Sequence, residues 1–232
     1  MGRIKIYIRH SFYSPNKSLP NRKRPDWFDK KKVWNNFKRT LDPEICYVTI
    51  LYDTHFGDSS ESFFEGNDRV IKINCGTEAS SFLEMLNVIQ NENHEDDDII
   101  YMLEDDYLHL PGWTNIMLEG FTLETDYISL YDHLDKYKDY PDLLSKILVS
   151  ESCHWRTVPS TCNTYACKFS TLKSDIEIHK FYSIHHNSGI SSDHSKFINL
   201  SQIGRRLITP IPGYSTHCDL LHSPTIKWEE YI

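Results

Sequence analysis

The segment "IIYMLEDDYLHLPGW" (residues 99–113) runs an apolar stretch directly into three acids, Glu104, Asp105 and Asp106. In an extended backbone side chains alternate, so Glu104 and Asp106 share one side and Asp105 takes the other. Two carboxylates held close raise each other's proton affinity, and a divalent cation relieves that repulsion. Hard oxygen donors suit Mg²⁺ or Mn²⁺, ions that commonly complete their shells with substrate phosphate oxygens. Most acidic runs are solvated loops, and that reading suffices for Asp96, Asp97 and Asp98, which precede the apolar stretch. It suits Glu104 to Asp106 less well, because "YLHLPGW" encloses them from the other side.

These acids need elements to position them. "RIKIYIR" (residues 3–9) alternates Ile4, Ile6 and Ile8 against Arg3, Lys5, Tyr7 and Arg9, the period of a strand. A loop rich in proline and basic residues follows (Lys17, Arg22, Lys23, Arg24), read as a solvated loop, with closure over a diphosphate as the alternative. Trp27, Val33, Trp34, Phe37 and Leu41 then recur at mostly helical spacing behind Pro25 and Asp26, which suit a helix start. "ICYVTILYD" and "RVIKIN" read as strands, and "TEASSFLEMLNVIQNEN" as a helix, with Ser81 and Glu84 at capping-box spacing. "DIIYML" is the strand that ends on the acids. Helical crossovers join parallel strands, and ligands gather beyond the carboxyl ends of such sheets. Asp53, at the end of "ICYVTILYD", therefore faces the same crevice as Glu104 to Asp106.

The second half is less regular. "DYISLY", "STCNTYACKF" and "RRLITPIP" read as strands, and "PDLLSKIL" and "SSDHSKFINLSQIG" as helices. The expected fold is α/β, a single domain over residues 1–232 with a mixed, mostly parallel central sheet flanked by helices. Residues 1–106 would form a Rossmann-like nucleotide-binding half and residues 107–232 an acceptor-binding half.

The bulk composition excludes several classes. A net charge of -8, from 33 acids against 25 Lys and Arg, argues against a nucleic-acid partner, which needs a concentrated basic face. No apolar stretch is long enough to span a bilayer, and the N-terminus has no signal-peptide core, so a soluble, unsecreted chain is expected. The six cysteines form no C-x-x-C pair; Cys153, His154, Cys162 and Cys167 fit no common zinc spacing.

The segment "IIYMLEDDYLHLPGW" resembles the DxD-type metal-binding motif of glycosyltransferases with the GT-A fold, in its E-D-D form. The surrounding order is similar, with Asp53 ending an early strand, an acid in "SSDH", and a His in "PGYSTHCD". In outline the resemblance covers nearly the whole chain, although only the E-D-D segment is specific. It extends more weakly to small soluble glycosyltransferases of large DNA viruses and bacteria; a soluble chain without a signal peptide is expected in the cytoplasm, for a virus-encoded chain that of the host.

The resemblance implies a hexosyl- or pentosyltransferase using a nucleotide-sugar donor, a glycan or glycoprotein acceptor, and Mn²⁺ or Mg²⁺. Asp106 would bind the cation directly. Glu104 and Asp105 would contact the ribose or waters around the metal, Asp53 would lie near the nucleoside, and Arg9 would meet the base or diphosphate unless it is a surface residue. His217 would add a metal or diphosphate contact, with His222 as competitor. Inversion needs a general base for the acceptor hydroxyl. Asp193 in "GISSDHSKF" is the choice, against a plain helix-capping role, with Asp132 and Glu151 in reserve. Trp155, and behind it Trp113 and Tyr165, would stack on a sugar unless they are core residues. Competing functions are a divalent-metal-dependent phosphohydrolase or nuclease, and a non-catalytic carbohydrate- or nucleotide-binding module.

Overall fold

The first strand carries Ile4, Ile6 and Ile8 toward one face, as its alternation requires, but its other face is also covered. In the computed structural model, residues 4–12, 23–58, 64, 69–184, 189 and 191–232 are described; Arg3, Lys17 and Arg22 lie outside them. Strand β1 (Ile4–His10) is central. It pairs in parallel with β2 (Cys46–Asp53) on one side and with β4 (Ile99–Glu104) on the other. β3 (Arg69–Ile73) extends the parallel set beyond β2. Tyr7 and Arg9, expected on a polar face, are buried because a helix packs over them, and the Tyr7 hydroxyl donates to Glu92 at 2.7 Å.

Helix α1 (Lys30–Thr40) lies on the face of Ile4, Ile6 and Ile8. It begins four residues after the expected Asp26, because Asp29 is the cap, its Oδ1 accepting the Lys32 N–H at 2.8 Å. Trp27 and Phe28 instead pack with Leu108, Cys218 and Trp228. Helix α2 (Glu78–Gln90) covers the other face with Phe82, Met85, Leu86 and Ile89. Its cap is Thr77, whose Oγ1 accepts the Ser80 N–H at 3.1 Å; Ser81, expected as the cap, lies a turn inside and donates to the Glu78 carbonyl.

Beyond β4 the chain forms β5 (Tyr107–His109), α3 (Trp113–Gly120), β6 (Tyr127–Ile128), α4 (Asp135–Lys138), β7 (Ile147–Val149), β8 (His154–Thr157), β9 (Tyr165–Lys168), α5 (Phe169–Ile184), α6 (Asp193–Gln202), β10 (Leu207–Ile211) and β11 (Ser215–His217), before a short 3-10 turn (Trp228–Tyr231). Among the described residues the main sheet has nine strands, ordered β3-β2-β1-β4-β9-β6-β10-β8-β7. β9 runs antiparallel between β4 and β6, so one sheet continues across residue 106. A separate antiparallel ribbon joins β5 to β11.

Three expectations in this half are corrected. "PDLLSKIL" forms no helix; Leu144 is 93% exposed, so a helix there would have no core to bury against. The strands "DYISLY" and "STCNTYACKF" shorten to Tyr127–Ile128 and Tyr165–Lys168. Helix α5 went unread because its buried stripe of Leu172, Asp175, Ile176, His179 and Ser183 is largely polar. Its partners explain that. Tyr127 donates to Asp175 at 2.7 Å and lies 3.0 Å from His179 Nε2.

Candidate functional site

The carboxyl ends of β1 and β4 lie side by side, with Arg9 in register with Glu104. Arg9 is buried and no surface residue. Its Nη2 donates to Glu104 Oε1 at 3.1 Å and its Nη1 to Glu78 Oε1 at 2.9 Å, tying the acidic segment to the first turn of α2. Burial raises the Glu104 carboxyl, and Arg9 only partly offsets that. Asp105 points to the α1 side, where His10 Nδ1 (2.6 Å) and Lys30 Nζ (2.7 Å) meet its Oδ2. Burial would raise Asp105 too, but the charge of Lys30 and the His10 hydrogen bond hold it below the usual range.

Asp106 meets the ribbon. β11 pairs with β5 so that His217 sits opposite Tyr107, and the Cys218 N–H donates to the Asp106 carbonyl at 2.8 Å. The His217 side chain thereby lies against Asp106, with Nε2 3.0 Å from Oδ2. Nδ1 of the same ring is 2.7 Å from Oδ2 of Asp219. Arg24 donates to Asp106 Oδ2 at 2.5 Å and to the Cys218 carbonyl at 2.9 Å. Burial opposes charge on His217, yet the two carboxylates outweigh it and push the imidazole up to about 10. Against its own burial, Asp106 is held well below the carboxylate range by His217 and then Arg24.

The other predicted residues fall at varied places. Asp53 spends its carboxylate on the N–H groups of His55 (3.1 Å), Cys75 (3.1 Å) and Gly76 (2.9 Å). Gly76 has φ of 73°, so this acid holds the left-handed turn that aims α2 at Arg9. Asp193 occupies the first turn of α6, half-buried, with Oδ1 accepting the His194 N–H at 2.8 Å. Burial pushes the Cys162 thiol up, and the charges of Asp193 and then Glu104 add to that. His222 lies against Trp27, ring centroids 5.4 Å apart, whereas His217 is the histidine brought to Asp106.

Asp132 is buried against Arg156 (2.5 Å) and the Tyr137 hydroxyl (2.6 Å), and Glu151 is exposed between β7 and β8. Trp113, Trp155 and Tyr165 are fully buried in the core and present no face to a sugar, which corrects the stacking expectation.

Sequence reading did not single out His10, Lys30, Glu78 and Asp219, and weighed Arg24 only as loop charge. Asp219, two residues past His217 in "THCD", was the most visible of these. The rest act through contacts that no local spacing announces.

No protein-family model matches the chain, and no curated protein does. Among solved structures, the chain is similar to CMP:2-keto-3-deoxy-manno-octonic acid synthetase complexed with CTP, at a TM-score of 0.53 over 91% of this chain and 92% of that one. The fold is GT-A-like. At 14% identity the likeness speaks for the architecture alone.

In this GT-A-like frame, Asp106 Oδ1, in the turn after β4, is buried with no hydrogen-bond partner among the described residues. Among the described residues no group of three His, Cys, Asp or Glu side chains is arranged to hold a metal ion. Asp106 and His217 would supply two protein ligands. That donor set fits a divalent cation of the kind that keeps its remaining positions for water and phosphate. Among the described residues no helix is long and apolar enough to cross a membrane.

Proposed function

We propose that the chain is a glycosyltransferase that moves a sugar from a nucleotide-sugar donor to a hydroxyl of a glycan or glycoprotein acceptor, with Mn²⁺ or Mg²⁺. The observation that carries this reading is the meeting of Asp106 and His217, with Asp106 Oδ1 left open, at the carboxyl ends of β1 and β4.

Asp106 through its carboxylate and His217 through Nε2 would hold the cation. When bound, the cation would stabilise negative charge developing on the diphosphate leaving group. To hold the cation His217 would pass its Nε2 proton to solvent, and Arg24 would leave Asp106 Oδ2 and be available to the diphosphate. Arg9 keeps Glu104 beside the donor through the contact that also anchors α2. Asp193, in the first turn of α6, accepts the proton of the acceptor hydroxyl, and its effect comes from orientation.

A second reading, nucleotidyl transfer, is favoured by one observation, the similarity in fold to a synthetase solved with CTP. The two differ in their products. Incubation with a panel of nucleotide sugars, and separately with nucleoside triphosphates plus sugar acids, in Mn²⁺, distinguishes them. Release of a nucleoside diphosphate from a nucleotide sugar supports glycosyl transfer, and release of pyrophosphate from a triphosphate supports nucleotidyl transfer.

A further inference from the structure

Asp219 stands two residues beyond His217, in the bend that follows β11, and is buried. Each of its oxygens accepts one N–H, with Oδ2 2.7 Å from His217 Nδ1 and Oδ1 2.7 Å from the Leu221 nitrogen. The turn is itself anchored, because the Tyr131 hydroxyl donates to the Leu221 carbonyl at 2.6 Å. The Tyr107 ring lies against the His217 ring, centroids 5.1 Å apart and planes at 31°. The imidazole is therefore held at its edge and over its face. Its Nε2 is directed at Asp106.

A neutral imidazole has one N–H and one lone pair, and the hydrogen bond made by one nitrogen decides which role the other takes. We propose that Asp219 is the positioning residue of the cation site, accepting the Nδ1–H of His217 so that it is Nε2, beside Asp106, that sheds its proton and offers a lone pair to the cation. This rests on the reading of Asp106 and His217 as cation ligands. It also accounts for why a second acid is buried next to the first: it acts on the histidine and not on the ion. Outer carboxylates of this kind commonly change metal affinity by about 10- to 100-fold.

The test is Mn²⁺ binding without substrate, followed by loss of the free-ion electron paramagnetic resonance signal. In Asp219→Asn the amide has one acceptor oxygen for two converging N–H groups, so the ring loses its fixed tautomer. The expected result is Mn²⁺ affinity about 10- to 100-fold weaker than wild type, with Asp219→Glu recovering part of it. In a His217→Gln background Asp219→Asn should add no further loss, since both changes act through one ring.

Equal affinity of Asp219→Asn and wild type overturns the proposal while leaving the cation reading intact, as does an undiminished loss in the His217→Gln background. A wild-type chain that takes up no Mn²⁺ overturns both. ¹⁵N resonances of the Zn²⁺-loaded wild type give a check that needs no variant. His217 Nδ1 should be protonated and Nε2 metal-bound, and the reverse assignment removes Asp219 from this role.

Discussion

Nε2 of His217 lies 3.0 Å from Oδ2 of Asp106, a contact made across 111 positions of the chain. A single hydrogen-bonded ribbon, β5 with β11, makes that contact, and the guanidinium of Arg24 closes it from the loop ahead of α1. Two cationic groups therefore neutralise the buried carboxylate on one oxygen, while the other has no hydrogen-bond partner among the described residues.

Asp106→Asn removes the charge that a cation needs. A nucleoside diphosphate at about 100 times its Kd should stabilise the wild type by about 2.7 kcal/mol in Mn²⁺, and the variant should show little of this. Thermal unfolding with and without Mn²⁺ reads the difference; equal stabilisation of both proteins would take Asp106 out of the site.

The pH dependence of metal-free stability should trace His217. Its folded value of about 10 lies above its ordinary 6.5, so the charged ring stabilises the fold fully below about pH 6.5 and loses that contribution as pH rises through about 10. Asp106 runs the other way, contributing above its ordinary 3.8 and less as pH falls below it. The stability gap between wild type and His217→Gln should therefore narrow from pH 6.5 to 10. Denaturant titrations across that range measure it, and a constant gap contradicts the assignment.

Arg24→Ala should make nucleotide-free Mn²⁺ binding tighter, on the order of tenfold, because the guanidinium competes for Asp106 Oδ2. The same paramagnetic titration reads this. Weaker binding would mean that Arg24 helps to build the cation site.

Asp193→Ala should retain nucleotide-dependent thermal stabilisation and lose about 10²- to 10⁴-fold in transfer rate, the usual range for a general base. Near-normal transfer would leave Asp193 a helix-start acid only.

Trp155→Ala tests a corrected expectation. A fully buried tryptophan whose Nε1 donates to Ser150 at 2.9 Å belongs to the core, so about 3–5 kcal/mol of stability should be lost. Unchanged stability with a raised KM for the acceptor would return it to the acceptor site.

Legibility followed regularity. β1 and α2 could be read because each repeats its own period over five or more residues, and β2 and β4 because largely apolar runs of that length mark strands buried on both faces. The later strands are too short for any period, with β6 only two residues long. In α5 the buried stripe carries Asp175, His179 and Ser183, so hydrophobic spacing was silent where tyrosine hydroxyls and a histidine had replaced apolar contact.

Within the site, the acids at the end of an apolar run declared themselves, because a strand ending on three carboxylates is costly without a use. Arg24 did not, since nothing in a basic, proline-rich loop says which of its charges turns inward.

By itself, the sequence determined a buried strand and the three acids at its exit; the alternation expected through them stops at Glu104, because Asp105 and Asp106 form the turn into β5. Only the tertiary structure decided what each acid meets: Arg9 for Glu104, His10 and Lys30 for Asp105, and His217 with Arg24 for Asp106. The physical reason is range. An apolar run bounded by acids is a local property of the chain, whereas the partners of a buried charge come from whichever distant segments the sheet and the β5–β11 ribbon hold beside it.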